Sequence, residues 1–120
     1  MTEIFVFGSN LAGRHGKGAA LYAKKHCGAI TGHGYGRQGN SFAIPTKNER
    51  IYPLPLYRIE KHVMGFLTYA NENPALKFRL TPIGCGLAGY TPEDIAPMFS
   101  SAPSNVILPP EFLSVLGRLE

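Results

Sequence analysis

The chain is 120 residues long and carries 12 Lys or Arg against 8 Asp or Glu, a formal net charge of +4. That length fits one domain around one core, expected to span 1–120. With 44% hydrophobic residues, no apolar run of membrane-span length and no apolar N-terminal signal, the composition is that of a globular protein, expected by default in the cytoplasm and without a membrane partner.

The apolar run Ile4-Phe5-Val6-Phe7 predicts a strand over 3–8. It enters Gly8-Ser9-Asn10-Leu11-Ala12-Gly13-Arg14-His15-Gly16-Lys17-Gly18 and then a helix predicted over 18–27, with Gly28 as its C-cap. The segment 28–40 reads as a long Gly-rich loop, usually a functional or mobile feature in a compact domain. A strand over 41–46 follows, then a helix over 56–71 whose Ile59, Val63, Phe66 and Ala70 recur at spacings of three and four. A third strand over 77–83 meets a second glycine cluster, Gly84-Cys85-Gly86-Leu87-Ala88-Gly89-Tyr90. Thr91-Pro92-Glu93-Asp94 has the capping-box pattern and opens a helix over 92–99 that Pro97 shortens or kinks. A strand over 105–108 and a helix over 110–118 complete the chain. Alternating strands and helices imply an α/β fold with a mainly parallel sheet.

Nine of the fourteen glycines fall between Gly8 and Gly39. Residues 1–50 hold seven Lys or Arg and two Glu, a charge of +5; residues 51–120 hold five and six, a charge of −1. A strand, a glycine-rich turn and a helix start form an anion cradle, because bare N–H groups and the positive helix end face one point. The plan occurs twice, which points to a small molecule with two phosphates. The co-located cations Arg14, Lys17, Lys24, Lys25, Arg37 and Lys47 suit such a ligand, and equally suit nucleic acid.

Asn10, just past the first strand, has a donor and an acceptor for a ribose hydroxyl, or forms a turn. Gly13, Gly16 and Gly18 let backbone approach a diphosphate, although Gly-x-x-Gly-x-Gly is neither the dinucleotide fingerprint nor a Walker loop. Arg14, His15 and Lys17 contact phosphate or solvate the loop. Cys85 reads as a nucleophile or a small filler. Lys47, at the end of the middle strand, is a nucleophilic amine, a phosphate contact or a solvated lysine. Tyr35 and Tyr90 stack on a base or pack internally. Asp94 caps its helix or serves as an acid/base group. The four histidines lack metal-ligand spacing and the two cysteines form no disulfide framework, so neither a metal nor a cofactor is expected.

Two stretches resemble the macrodomain family, which binds ADP-ribose and related NAD metabolites. Val6 to Ala20 is similar to the family's strand that ends in Asn and enters a glycine-rich loop and helix. Pro82-Ile83-Gly84-Cys85-Gly86-Leu87-Ala88-Gly89-Tyr90 resembles its diphosphate loop, with wording nearest the branch that removes ADP-ribose from glutamate or from DNA bases. The likeness spans roughly residues 4–100 and extends to small phage- or prophage-encoded proteins of this type. It implies a minimal three-layer α/β/α fold. It also implies a ligand site at Gly8, Ser9, Asn10, Gly13, Gly16, Lys17, Gly18, Gly84, Cys85, Gly86, Leu87, Ala88, Gly89 and Tyr90. In that branch a lysine, here Lys47, attacks the distal ribose while an aspartate assists. Ala88 occupies the aspartate's place, and the strand whose aspartate reads adenine is lacking. The resemblance therefore implies binding of ADP-ribose or a similar nucleotide, free or on modified protein or nucleic acid. The competing expectations are an ADP-ribosyl hydrolase using Lys47 and a nucleic-acid-binding accessory protein.

Overall fold

The computed structural model describes residues 3–118; of the expected domain, Met1, Thr2, Leu119 and Glu120 lie outside the described residues. In chain order the elements are β1 (Glu3–Asn10), α1 (Gly18–His26), β2 (Gly36–Gln38), β3 (Ser41–Lys47), α2 (Leu56–Glu72), β4 (Lys77–Leu80), α3 (Pro92–Ile95), a 3₁₀ turn at Ala96–Phe99, β5 (Val106–Ile107) and α4 (Pro110–Val115). The strands make one five-stranded sheet of order β2-β3-β1-β4-β5. β1 pairs in parallel with β3 and with β4, β4 pairs in parallel with β5, and β2 runs antiparallel on the β3 edge. The result is a compact α/β protein with a mostly parallel sheet.

Alternation along β1 divides the core between the two faces of the sheet. Ile4 and Val6 join Phe42 and Ile44 of β3, Phe78 and Leu80 of β4, and Ile59, Val63, Phe66 and Ala70 of α2. The predicted stripe on α2 is thus the buried one, each of its four members fully covered. Phe42, Phe66 and Phe78 pack ring against ring, with centroids 5.0 and 5.3 Å apart. On the opposite face Phe7 and Ala43 meet Ala20 and Ala23 of α1. Small residues on both partners let this short helix lie close to the sheet. Lys77 and Arg79 of β4 stay exposed, and Arg79 holds Glu3 through two bonds of 2.7 and 2.9 Å.

Several boundaries move, β1 running on to Asn10 and α4 ending at Val115 rather than 118, and three further elements differ for a visible reason. The third strand ends at Leu80 rather than 83, because Pro82 has no N–H to continue the ladder and the Ile83 N–H turns back onto the Thr81 carbonyl at 2.7 Å. The predicted helix over 92–99 divides into α3 and a 3₁₀ turn, as Pro97 has no N–H to continue an α-helical ladder. Thr91 and Asp94 form the expected reciprocal capping box. Within the long loop, residues 36–38 become β2 by pairing with Ser41–Ala43. Gly36-Arg37-Gln38 has no apolar alternation, so its own sequence carries no strand signal. Among the described residues no helix is long and apolar enough to cross a membrane.

The last turn of α2 depends on one side chain from beyond β4. Asn105 Nδ2 lies 3.0 Å from the Ala70 carbonyl and 3.1 Å from those of Asn73 and Leu76. It adds a donor at the helix end, where the Ala70 and Asn73 carbonyls otherwise accept only the Asn73 and Leu76 N–H groups. Asn105→Ala is expected to cost about 1–3 kcal/mol, measured by urea unfolding; an unchanged midpoint would show that water serves these carbonyls equally well.

Candidate functional site

Three parallel strands end on one rim, and each carries a polar residue to it. β1 delivers Ser9 and Asn10, β3 delivers Thr46 and Lys47, and the chain leaving β4 delivers Thr81. The register between β1 and β3 shifts after Ser9, so that Asn10 stands opposite Lys47. A bulge of this kind re-aims a strand end. Here it brings Lys47 into a cavity of about 590 Å³. The first loop forms one wall of this cavity and the second forms another.

Of the residues singled out from the sequence, Gly8, Ser9, Asn10, Gly16, Lys17, Gly18, Lys47, Gly84, Cys85, Gly86, Leu87 and Ala88 line the cavity. Arg14, also singled out from the sequence, lines it too, and Ala19, Ala20, Thr46, Ile51, Thr81, Pro82 and Ile83 complete it. Gly13, Gly89 and Tyr90 lie outside the lining. Gly13 packs under the following loop, the Gly89 N–H closes a turn on the Gly86 carbonyl, and the Tyr90 hydroxyl donates to the Leu54 carbonyl at 2.5 Å. Tyr35 also lies elsewhere, its ring against Phe42 and His62. Arg37 reaches Gly39 and Tyr69 instead of the cavity. Asp94 is occupied by the Thr91 cap.

The first loop is held by its own polar side chains. Asn10 Oδ1 accepts the Arg14 N–H and Asn10 Nδ2 donates to the Arg14 carbonyl, both at 2.9 Å. Its amide therefore shapes the loop that surrounds the cavity. His15 points inward. Its Nε2 lies 3.1 Å from the Ile30 carbonyl and 3.2 Å from that of His33, so this nitrogen carries the proton and donates. The ring stands edge-on to Phe7, and Nδ1 is buried without a partner among the described residues. Gln38 ties the 28–34 stretch from within, accepting from Ile30 N–H and donating to the His33 carbonyl, each at 2.7 Å. The long glycine-rich loop thus buttresses the first wall, and none of its residues lines the cavity. Isolated polar residues carry no sign of which carbonyl they will meet, so sequence reading missed His15 and Gln38 in these roles.

The electrostatic character of the lining is one-sided. Arg14, Lys17 and Lys47 contribute three cations, and no Asp or Glu is among the lining residues. Helix α1 begins there with no side-chain cap and no acidic residue in its first turn. The N–H groups of Gly18, Ala19 and Ala20 consequently face the cavity end without intrahelical acceptors. In the second loop the N–H groups of Gly86, Leu87 and Ala88 have no acceptor among the described residues, whereas those of Cys85, Gly89 and Tyr90 bond to Pro82, Gly86 and Gly84. Successive free amides of this kind make an anion-binding concavity. Cys85 is poorly suited to nucleophilic work. Burial, and then the charges of Asp94, Glu111 and Glu93, push its thiol up to about 11. Among the described residues no cluster of His, Cys, Asp and Glu could hold a metal ion.

The glycines divide by what surrounds them. A Cβ on Gly13 would lie 2.3 Å from the Gly32 carbonyl carbon, and its φ is +68°. A Cβ on Gly16 or on Gly86 would meet nothing within 4 Å, and neither backbone is left-handed. The fold needs the first glycine and is indifferent to the other two. Comparison with protein families, with curated proteins and with solved structures finds no match to this chain.

Gly13→Ala is expected to destabilise the protein by about 3 kcal/mol or more, from left-handed strain and overpacking together. Gly16→Ala should stay within about 0.5 kcal/mol of the parent. Thermal unfolding of both variants checks the contrast, and similar losses in the two would remove it. The Cys85 thiol offers a second check. Its native value lies above the ordinary thiol value of 9.0, so at alkaline pH the unfolded chain loses this proton first. Stability is therefore fully retained below pH 9 and falls between pH 9 and 11. With Cys27 replaced by Ser, alkylation of the folded protein at pH 8 should be much slower than in urea; equal rates would mean that Cys85 is not shielded.

Proposed function

We propose that this protein is a minimal macrodomain-like module that binds ADP-ribose or a related NAD-derived nucleotide, its diphosphate held between the two glycine loops. The observation that carries the reading is the pair Gly16 and Gly86. Both line the cavity, and neither is required by its backbone conformation or by any neighbouring atom. Bare backbone in both loops suits a ligand that rides directly on N–H groups. The three cations, the uncapped start of α1 and the free amides at 86–88 supply the matching charge. A cavity of about 590 Å³ falls within the usual range for a small-molecule site. Helix α1 on one sheet face, with α2 and the C-terminal helices on the other, is consistent with a three-layer arrangement of this kind.

A second reading, an ADP-ribosyl hydrolase, is favoured by Lys47 lying in the same cavity. It lacks its acid. Ala88, 8% exposed, lines the cavity where the related hydrolases carry a carboxylate, and a methyl group neither takes a proton nor stabilises a developing cation. Losing such a group costs about 10²–10⁴-fold in rate. Binding is therefore the primary activity of this reading, with turnover weak or lacking. Its partners are the free nucleotide or an ADP-ribosylated protein or nucleic acid.

Calorimetry of the whole chain should show ADP-ribose binding more tightly than AMP, which fills only one of the two cradles. Lys47→Ala should weaken ADP-ribose about tenfold, the worth of one charge-assisted contact. Gly86→Val should fold normally and bind far more weakly. Equal affinity for AMP and ADP-ribose, or a folded Gly86→Val that binds like the parent, would overturn the assignment. Release of ADP-ribose from modified glutamate should be undetectable in the parent. Robust turnover lost in Lys47→Ala would establish the hydrolase instead.

A further inference from the structure

Among the described residues Ile51 is the one non-glycine residue with positive φ, at +68°. A β-branched side chain is poorly tolerated there, because its Cβ crowds the following carbonyl. The turn that imposes this backbone is heavily bonded. Asn48 Oδ1 accepts the N–H groups of Arg50 and Tyr52, at 2.9 and 3.1 Å. The Ile51 N–H donates to the Asn48 carbonyl at 3.0 Å, and the Asn48 N–H to that of Tyr52 at 2.8 Å. An antiparallel bridge between Lys47 and Pro53 closes the base. A glycine or an asparagine would fit this position without strain. Ile51 instead lines the cavity, half-buried, while its neighbours Arg50 and Tyr52 are exposed.

We infer that Ile51 is a specificity-determining residue, held in a strained turn so that its branched side chain packs on the flat ring of a nucleotide whose phosphates lie on the two loops. This rests on reading the cavity as a nucleotide site. The composition of the lining supports the assignment. It contains no aromatic residue on which a ring could stack and no carboxylate that could read a base edge. Aliphatic contact is what remains, and Ile51 lies four residues from Lys47, on the same turn. A contact of this kind recognises a ring by its apolar face. It selects a ring-bearing diphosphate over inorganic diphosphate and tolerates changes at the ring's hydrogen-bonding edge.

The test is calorimetry of the whole chain, parent, Ile51→Gly and Ile51→Val, against ADP-ribose and against inorganic diphosphate, with thermal melting of each. Ile51→Gly is expected to bind ADP-ribose about tenfold more weakly, the worth of one buried aliphatic contact. It should bind diphosphate like the parent and melt no lower, because relief of strain offsets the lost side chain. Ile51→Val should retain most of the affinity. Unchanged ADP-ribose binding in Ile51→Gly would overturn the inference and leave the nucleotide reading standing. Equal weakening of both ligands would show that Ile51 only positions the loops, and a melting point several degrees lower with affinity retained would make it a packing residue; either result overturns it. A parent that binds neither ligand would overturn both readings together.

Discussion

Parallel pairing of β1 with both β3 and β4 is the constraint on which the cavity depends. Parallel strands place their C-terminal ends on one edge, so three separate stretches of chain must deliver their following residues to the same rim. Asn10, Lys47 and Thr81 are neighbours of one space for this reason, although 71 positions separate the first from the last. Were β3 antiparallel to β1, Lys47 would leave the sheet at the opposite end. The pairing is secured on both faces: Ile4, Val6, Phe42, Ile44, Phe78 and Leu80 bury against α2, and Phe7 and Ala43 against α1. A one-residue slip of any of these strands would exchange its two faces and expose its large apolar side chains.

A rim built of loops needs its own rigidity, and here small polar side chains supply it. Asn10, His15 and Gln38 bond to backbone groups of the surrounding loops, and Thr81 bonds to the Val6 carbonyl of β1. The first wall of the cavity is thereby fixed to the 28–34 stretch, which is in turn fixed to β2. Order in these loops comes from enclosed hydrogen bonds, each modest in net worth but costly to leave half-made. This explains how a segment with so many glycines holds a defined shape. Gly13 allows the two loops to touch, since any side chain there would collide with the Gly32 backbone.

The charge of the protein and the shape of its cavity have a common origin. The positive half of the chain is the half that contains β1, the first loop, α1 and β3, and those elements turn Arg14, Lys17 and Lys47 toward one space. Among the described residues the acidic side chains of the C-terminal half stay outside the lining. Asp94 caps α3, and with Glu93 and Glu111 it raises the Cys85 thiol in addition to the effect of burial. A neutral thiol beside three cations leaves the cavity's field to the lysines, the arginine and the backbone amides. Among the described residues the one non-glycine with a left-handed backbone, Ile51, sits in the turn after Lys47, where the bonds of Asn48 hold it.

The sequence by itself determined the elements whose signal is local. Apolar runs located β1 and β3, the stripe Ile59, Val63, Phe66 and Ala70 located α2, and Thr91 with Asp94 located the start of α3. It also marked the two glycine clusters, because a bare backbone is visible residue by residue. It did not show β2, which exists only through its pairing with β3, nor the early end of β4, where the Ile83 N–H turns back onto the Thr81 carbonyl. Only the tertiary structure decided which glycines are structural and which are free. That distinction depends on atoms supplied by distant residues, such as Gly32 against Gly13 and empty space beside Gly16 and Gly86. The same holds for Asn10 and His15, which bond within the first wall and its buttress, and for Ile51, whose strained backbone has no signature in a row of letters. Periodicity and turn chemistry are properties of neighbours along the chain. A cavity is a property of neighbours in space, and the parallel sheet is what converts one into the other.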